Sequence, residues 1–110
     1  MEPCLLLLLH GGEAHGYQLL ENLSRFGFDE EPADSSTIYR ILRSLEENGY
    51  VSSRWDQGES GPARRVYSLS PRGDRYLEMW VEDLRRTDRI LHRFFSEYSQ
   101  HMKSHHGKDN

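Results

Sequence analysis

"DSSTIYRILRSLEENGYV", Asp34 to Val51, decides the fold. At 100° per residue Ile38, Ile41, Leu42 and Leu45 fall on one face of a helix, and Ser36, Arg40, Arg43 and Glu47 fall on the opposite face. Tyr39 lies on the flank. Asp34 or Ser35 suits the N-cap, and Gly49 stands where a left-handed turn ends a helix. The segment predicts an amphipathic helix over 34–48 that anchors on a core and shows arginines to solvent.

Upstream, Leu5 to Leu9 followed by His10-Gly11-Gly12 predicts a short helix with a glycine stop. In "AHGYQLLENLSRFGF", Tyr17, Leu20, Leu23 and Phe26 recur every three residues beside Leu19, which predicts a second helix closed at Gly27. His15 reads as its starting residue. "DEEPADSS" is an acidic, proline-bearing loop.

Downstream, "YVSSRWD" alternates Val51, Ser53 and Trp55 with Ser52, Arg54 and Asp56, the pattern of a half-buried strand. "QGESGPA" is a turn, and "RRVYSLS" returns as a strand with Tyr67 and Leu69 on one face and the pair Arg64-Arg65 at the base of the hairpin. Ser70 as cap and Pro71 in the first turn open a last helix running to about Gln100. Leu77, Leu84, Leu91 and Tyr98 recur every seven residues along it, with Trp80, Val81, Phe94 and Phe95 between them. So long a helix outruns a small domain, and the stripe predicts a coiled-coil-like seam with a second copy, in which Leu77, Val81, Leu84, Leu91, Phe94, Phe95 and Tyr98 meet their counterparts.

The chain has 110 residues with net charge −4, and the charge is unevenly spread. Residues 1–35 carry one arginine against seven acids, residues 36–75 seven arginines against five acids, and residues 76–110 six basic against six acidic groups. Arginine suits phosphate and guanine. A solvated charged surface accounts for the composition equally well. The single cysteine, Cys4, forms no internal disulfide and sits among leucines, as expected of a buried structural thiol in a reducing compartment. The five-leucine run follows Glu2 rather than a basic segment and is short for a signal or a span, so a soluble cytoplasmic chain is expected.

Three helices, a hairpin and a long helix are the order of a winged helix-turn-helix, mainly α with a small β-hairpin. Residues 1–70 form the winged domain in this reading, 71–100 the dimerisation helix and 101–110 a flexible tail. Ser35, Ser36 and Thr37 add hydroxyl donors to the free amides of a helix N-terminus, where phosphate is favoured. Tyr39 reaches phosphate from the core edge, and Arg40 and Arg43 reach base edges or backbone. Against this, the hydroxyls can serve only as caps and the arginines can pair with Glu46 or Glu47. No nucleophile, base and acid stand at a recognisable spacing, so no catalytic residue is assigned. His101, His105 and His106 could set two imidazoles four apart, but apart from Glu97 no Cys, Asp or Glu nearby completes a site, so no metal or other cofactor is expected.

These motifs also resemble the PadR-like transcriptional regulators in their short form, over residues 3 to 98. The resemblance rests on His15-Gly16-Tyr17, Thr37 to Leu42, Leu45-Glu46 with Gly49, and Ser60-Gly61-Pro62 with Arg65 and Tyr67. "PCLLLLL", "FGF", "SGPARR" and "RRTDRILHRF" look closest to the polyhydroxybutyrate-responsive repressors within that family. The resemblance implies a homodimeric repressor on a pseudo-palindromic duplex, with half-sites about one helical turn apart. It implies a phosphate contact from Tyr17, whose plainer role is a core-edge aromatic. It also implies a small hydrophobic or aromatic effector near Trp80 and Leu84, although an aromatic at helical spacing is more often core.

One departure stands out. The tip "QGESG" lacks the lysines common in such wings and carries Asp56 and Glu59 instead, which leaves Arg64 and Arg65 to contact DNA. A shallow salt dependence follows. A winged-helix adaptor for proteins, or a small-molecule sensor whose dimer pocket is the main function, are the readings that compete.

Overall fold

A computed structural model describes residues 1–27, 35–58 and 61–109. The acidic loop after Gly27, the Asp34 cap, and Glu59 and Ser60 in the hairpin turn lie outside the described residues. The order is α1 (Glu2–His10), β1 (Ala14–His15), α2 (Gly16–Asn22) with a 3-10 turn over Leu23–Phe26, α3 (Ser35–Glu47), β2 (Val51–Asp56), β3 (Arg64–Leu69) and α4 (Pro71–Asp109). This is the winged helix-turn-helix with a long terminal helix that the sequence predicts. Residues 1–78 and 79–110 form two compact units.

The first unit is built around leucines. Leu5, Leu6 and Leu9 of α1, Leu19 and Leu23 of the second helical segment, and Ile38, Leu42 and Leu45 of α3 are buried. Each such side chain contributes about 1.5–3 kcal/mol by leaving water. α3 buries the expected face, with Ile41 half-buried at its margin. Across α2 and the 3-10 turn the buried pair is Leu19 and Leu23, four apart, while Tyr17 and Phe26 are exposed. The three-residue spacing seen in the sequence therefore marks no single α-helical stripe. It runs into the 3-10 turn, whose three-residue period it matches, and Gly27 ends that turn at φ 91°.

The sheet has one strand more than the sequence suggests. Its order is β1-β3-β2, all antiparallel, with Ala14 opposite Tyr67 and His15 opposite Val66. β3 is thus central, and Val66 and Tyr67, which point to opposite faces, are both buried. β2 pairs with β3 from Val51↔Leu69 to Asp56↔Arg64. Arg64 and Arg65 therefore stand at the loop end of this ladder, opposite Asp56 and Trp55, and not at the end that joins the core.

The start of α4 is locked by its cap. Ser70 Oγ accepts from the Gly73 N–H at 3.0 Å and donates to the Gly49 carbonyl at 2.6 Å. Beside it Tyr50 stacks on Tyr76 with ring centres 4.0 Å apart, and the Arg72 guanidinium lies 5.4 Å from the Tyr50 ring centre. Gly73 is buried, and Tyr50 leaves its Cα no room for a side chain. Leu77 is buried as well, so this member of the seven-residue stripe belongs to the core of its own unit and is closed to a partner. The first unit accordingly ends at Glu78, inside α4.

α4 continues past the expected Gln100 to Asp109, about 58 Å of helix at 1.5 Å per residue. The polar segment after Gln100 holds no proline, and its one glycine, Gly107, costs about 1 kcal/mol, too little to end a helix. In the second unit Val81, Leu84, Leu91, Phe94, Phe95 and Tyr98 are exposed, as is Ile90, while Trp80 is partly buried. Phe94 and Phe95 meet edge to face, 5.5 Å apart. Among the described residues, no helix is long and apolar enough to cross a membrane, and no three metal-ligating side chains gather in one place. Cys4 is partly buried, which pushes its thiol above the ordinary range against the opposing pull of the N-terminal charge.

Candidate nucleic-acid interface

The outer face of α3 presents Ser35, Ser36, Arg40 and Arg43 to solvent, with Thr37 half-buried beside them. Three buried anchors, Ile38, Leu42 and Leu45, fix the rotation of the helix. Among the described residues, Arg40 and Arg43 form no ion pair and no side-chain hydrogen bond, so the pairing with Glu46 or Glu47 that the sequence left open is absent. These guanidiniums keep all five of their N–H donors for an external acceptor.

Tyr39 lies at the edge of the same face, 47% exposed, and its ring rests against the backbone of Gly16. A Cβ on Gly16 would come within 2.5 Å of the Tyr39 ring. This explains the glycine between His15 and Tyr17: it lets α3 approach the start of α2. Gly16→Ala should cost at most about 1 kcal/mol net, since the obstacle is the outer end of a half-exposed ring that can swing aside and alanine is the better helix former. In a Tyr39→Ala background the same change should cost almost nothing. A double-mutant cycle read by thermal melting checks this, and additive effects would refute the contact.

His15 starts α2, as its position in the sequence suggests. Its backbone N–H donates to Gln18 Oε1 at 2.8 Å, and its ring lies 5.6 Å from that of Tyr17, nearly parallel. Its Nε2 is 3.8 Å from Asp56 Oδ2. Tyr17, 42% exposed, accepts a hydrogen bond from Arg64 Nη1 at 3.0 Å, and the guanidinium also lies over its ring at 5.1 Å. β1 makes this possible, because it lays the start of α2 alongside β3. Glu13 and Arg54 close the same flank at 2.8 Å.

Arg65, on the opposite face of β3, is tied to α3 instead. Its Nε donates to Ser53 Oγ at 2.9 Å, and Ser53 Oγ donates to Glu46 Oε2 at 2.7 Å. Its terminal nitrogen is 4.0 Å from the same carboxylate oxygen, and its guanidinium lies 5.3 Å from the centre of the Trp55 ring. Two adjacent arginines thus brace the hairpin against two different helices. Between α3 and this side of the hairpin lies an open groove of about 660 Å³, with Tyr39 and Arg43 on one wall, Trp55 and Arg65 on the other, and Tyr67 below. Burial pushes the Tyr67 hydroxyl above the ordinary phenol range, Arg65 and Arg43 oppose the shift, and Glu46 and Tyr39 add to it. The phenol is therefore neutral near pH 7 and keeps its proton as a donor.

Of the nine residues expected on this surface, the structure gathers Tyr17, Tyr39, Arg43, Arg64 and Arg65 around the junction of α2, α3 and the hairpin. Ser35, Ser36, Thr37 and Arg40 continue along α3. Sequence reasoning missed the Glu46–Ser53–Arg65 chain and the exposure of Trp55. Alternation already placed Ser53 and Trp55 on one face, but only the pairing register brings Arg65 onto that face. The link to Glu46 is tertiary.

A model of the PadR-like transcriptional regulator family matches residues 5–79, from within α1 to the first turns of α4. The chain belongs to this family. Among solved structures, a transcriptional regulator from Clostridium thermocellum is 29% identical, with 86% of this chain and 91% of that one covered and a TM-score of 0.74. A conserved protein of unknown function, described as a potential transcriptional factor, is 30% identical over 93% and 90% of the two chains, with a TM-score of 0.79. Bacillus subtilis PadR, solved in complex with operator DNA, is 25% identical at a TM-score of 0.64. That match covers 73% of this chain and 45% of the Bacillus protein. A search of curated proteins finds no match. These findings establish a PadR-family regulator and single out no polyhydroxybutyrate-responsive subgroup.

Proposed function

We propose that this PadR-family regulator is a homodimeric repressor that binds a pseudo-palindromic operator through α3 and leaves it when a small effector binds. The observation that carries the reading is the pair Arg40 and Arg43, outward and without ion pairs among the described residues, on a helix whose other face is buried. A helix so anchored presents guanidiniums to base edges in a major groove, where a bidentate contact to guanine discriminates by about 1–3 kcal/mol. Ser35, Ser36 and Thr37 at its N-terminus, with Tyr39 and Tyr17 beside them, meet phosphates and set its register. Arg64 and Arg65 bring the hairpin to the adjoining backbone. The operator complex of the Bacillus PadR supports the choice of partner.

The exposed apolar stripe of α4 supports the dimer. Leu84, Leu91, Phe94, Phe95 and Tyr98 are too many large apolar side chains for one exposed helix face, and pairing two copies covers them. An effector near Trp80 and Leu84 acts by binding better to the arrangement that mismatches the two α3 helices with their half-sites.

The test is to recover duplexes from a random pool with the purified full chain and sequence them, while sedimentation gives the mass of the free protein. An inverted repeat with half-site centres one turn, about 10–10.5 bp, apart and a dimeric mass are expected. A monomer, or a pool that stays random, overturns the proposal, and the random pool would favour the protein adaptor.

A further inference from the structure

Trp55 is 61% exposed at the loop end of β2, although indole is among the largest apolar groups a chain can hide. It is not loosely placed. The strand register sets it opposite Arg65 and on the face of Ser53, and the Arg65 guanidinium covers its ring at 5.3 Å. The ring forms one wall of the open groove between the hairpin and α3.

The charges around this groove cancel. Arg43 and Arg65 face Glu46 and Glu47, so general attraction for phosphate is weak here. Yet the groove lies on the course a nucleic-acid strand must take. A helix seated in a major groove has a phosphate ridge along each flank, and the hairpin stands beside α3 on one of them. Resting on the operator-binding reading above, we infer that this groove takes one sugar–phosphate strand of duplex DNA, and that Trp55 packs its ring face on a deoxyribose of that strand. Arg65 keeps its terminal N–H donors for the neighbouring phosphate. Ser53 takes only its Nε–H, and Glu46 Oε2, at 4.0 Å from its terminal nitrogen, is an ion-pair partner beyond hydrogen-bond reach. In a wing short of cations, Trp55 supplies the part of the affinity that salt does not screen.

Operator affinity measured against salt concentration for the wild type, Trp55→Ala, Trp55→Phe and Arg65→Ala tests this. Trp55→Ala should bind on the order of tenfold more weakly at every salt concentration, the size of losing part of the apolar burial of one large side chain, on a line parallel to the wild type. Trp55→Phe, which preserves a flat ring, should recover most of that loss. Arg65→Ala should make the slope shallower by about one. Melting temperatures show whether each variant is folded. Equal binding by Trp55→Ala and the wild type overturns the inference and leaves operator binding standing. A loss that Trp55→Phe shares in full despite an unchanged melting temperature overturns it too. A wild type that binds no duplex overturns both.

Discussion

Replacing Arg40 and Arg43 together by alanine is expected to weaken operator binding on the order of 100- to 1,000-fold while leaving the fold unchanged. Each arginine that meets a guanine edge accounts for about 1–3 kcal/mol, and 1.4 kcal/mol is tenfold. The fold should be indifferent because both side chains are exposed and neither is ion-paired among the described residues. Exposed substitutions of this kind usually stay within about 0.5 kcal/mol. Competition with unrelated duplex separates the two modes of contact. If the arginines read bases, the preference for the operator over other DNA collapses. If they meet phosphates, all affinities fall together and the salt dependence becomes shallower by about one per arginine. Unchanged affinity for the operator would end the assignment of α3 as the reading helix.

The largest effect on stability is expected at Gly73. A methyl group there would overlap the Tyr50 carbonyl oxygen and approach Leu69 Cδ1 to 2.7 Å. In an open helix, glycine to alanine gains about 1 kcal/mol. Here the obstacle is a backbone oxygen, which no rotamer change removes, so β2 and α4 must move apart. That movement loosens the Ser70 cap and the stack of Tyr50 on Tyr76. A net loss of about 3 kcal/mol and a fall of the order of 10 °C in Tm follow. Calorimetry checks this, and a variant as stable as the wild type would show that α4 does not approach Tyr50 so closely.

The legible parts of the fold are those written in local chemistry. α3 declared itself because its apolar positions share one face and Gly49, at φ 79°, stops it. The start of α4 was plain from Ser70-Pro71, whose hydroxyl makes the capping bond. β1 was hidden because two residues, Ala14 and His15, are too few to show alternation. Their strand character comes wholly from β3. The seven-residue spacing of Leu77 with Leu84 could not separate a core leucine from an exposed one, since spacing reports a face and not what covers it. Arg65 was legible as a cation but not as the ring-stacked end of a chain through Ser53 to Glu46. Those contacts join residues up to nineteen positions apart, Glu46 to Arg65, and exist only once the hairpin has found its register.

The two tryptophans fall one in each unit, Trp55 in the first and Trp80 in the second. The molecule therefore carries its own pair of optical probes. With one indole replaced by phenylalanine, the intrinsic emission of the other reports on a single unit, so events at the hairpin and events along the distal helix can be followed in separate titrations without any attached dye.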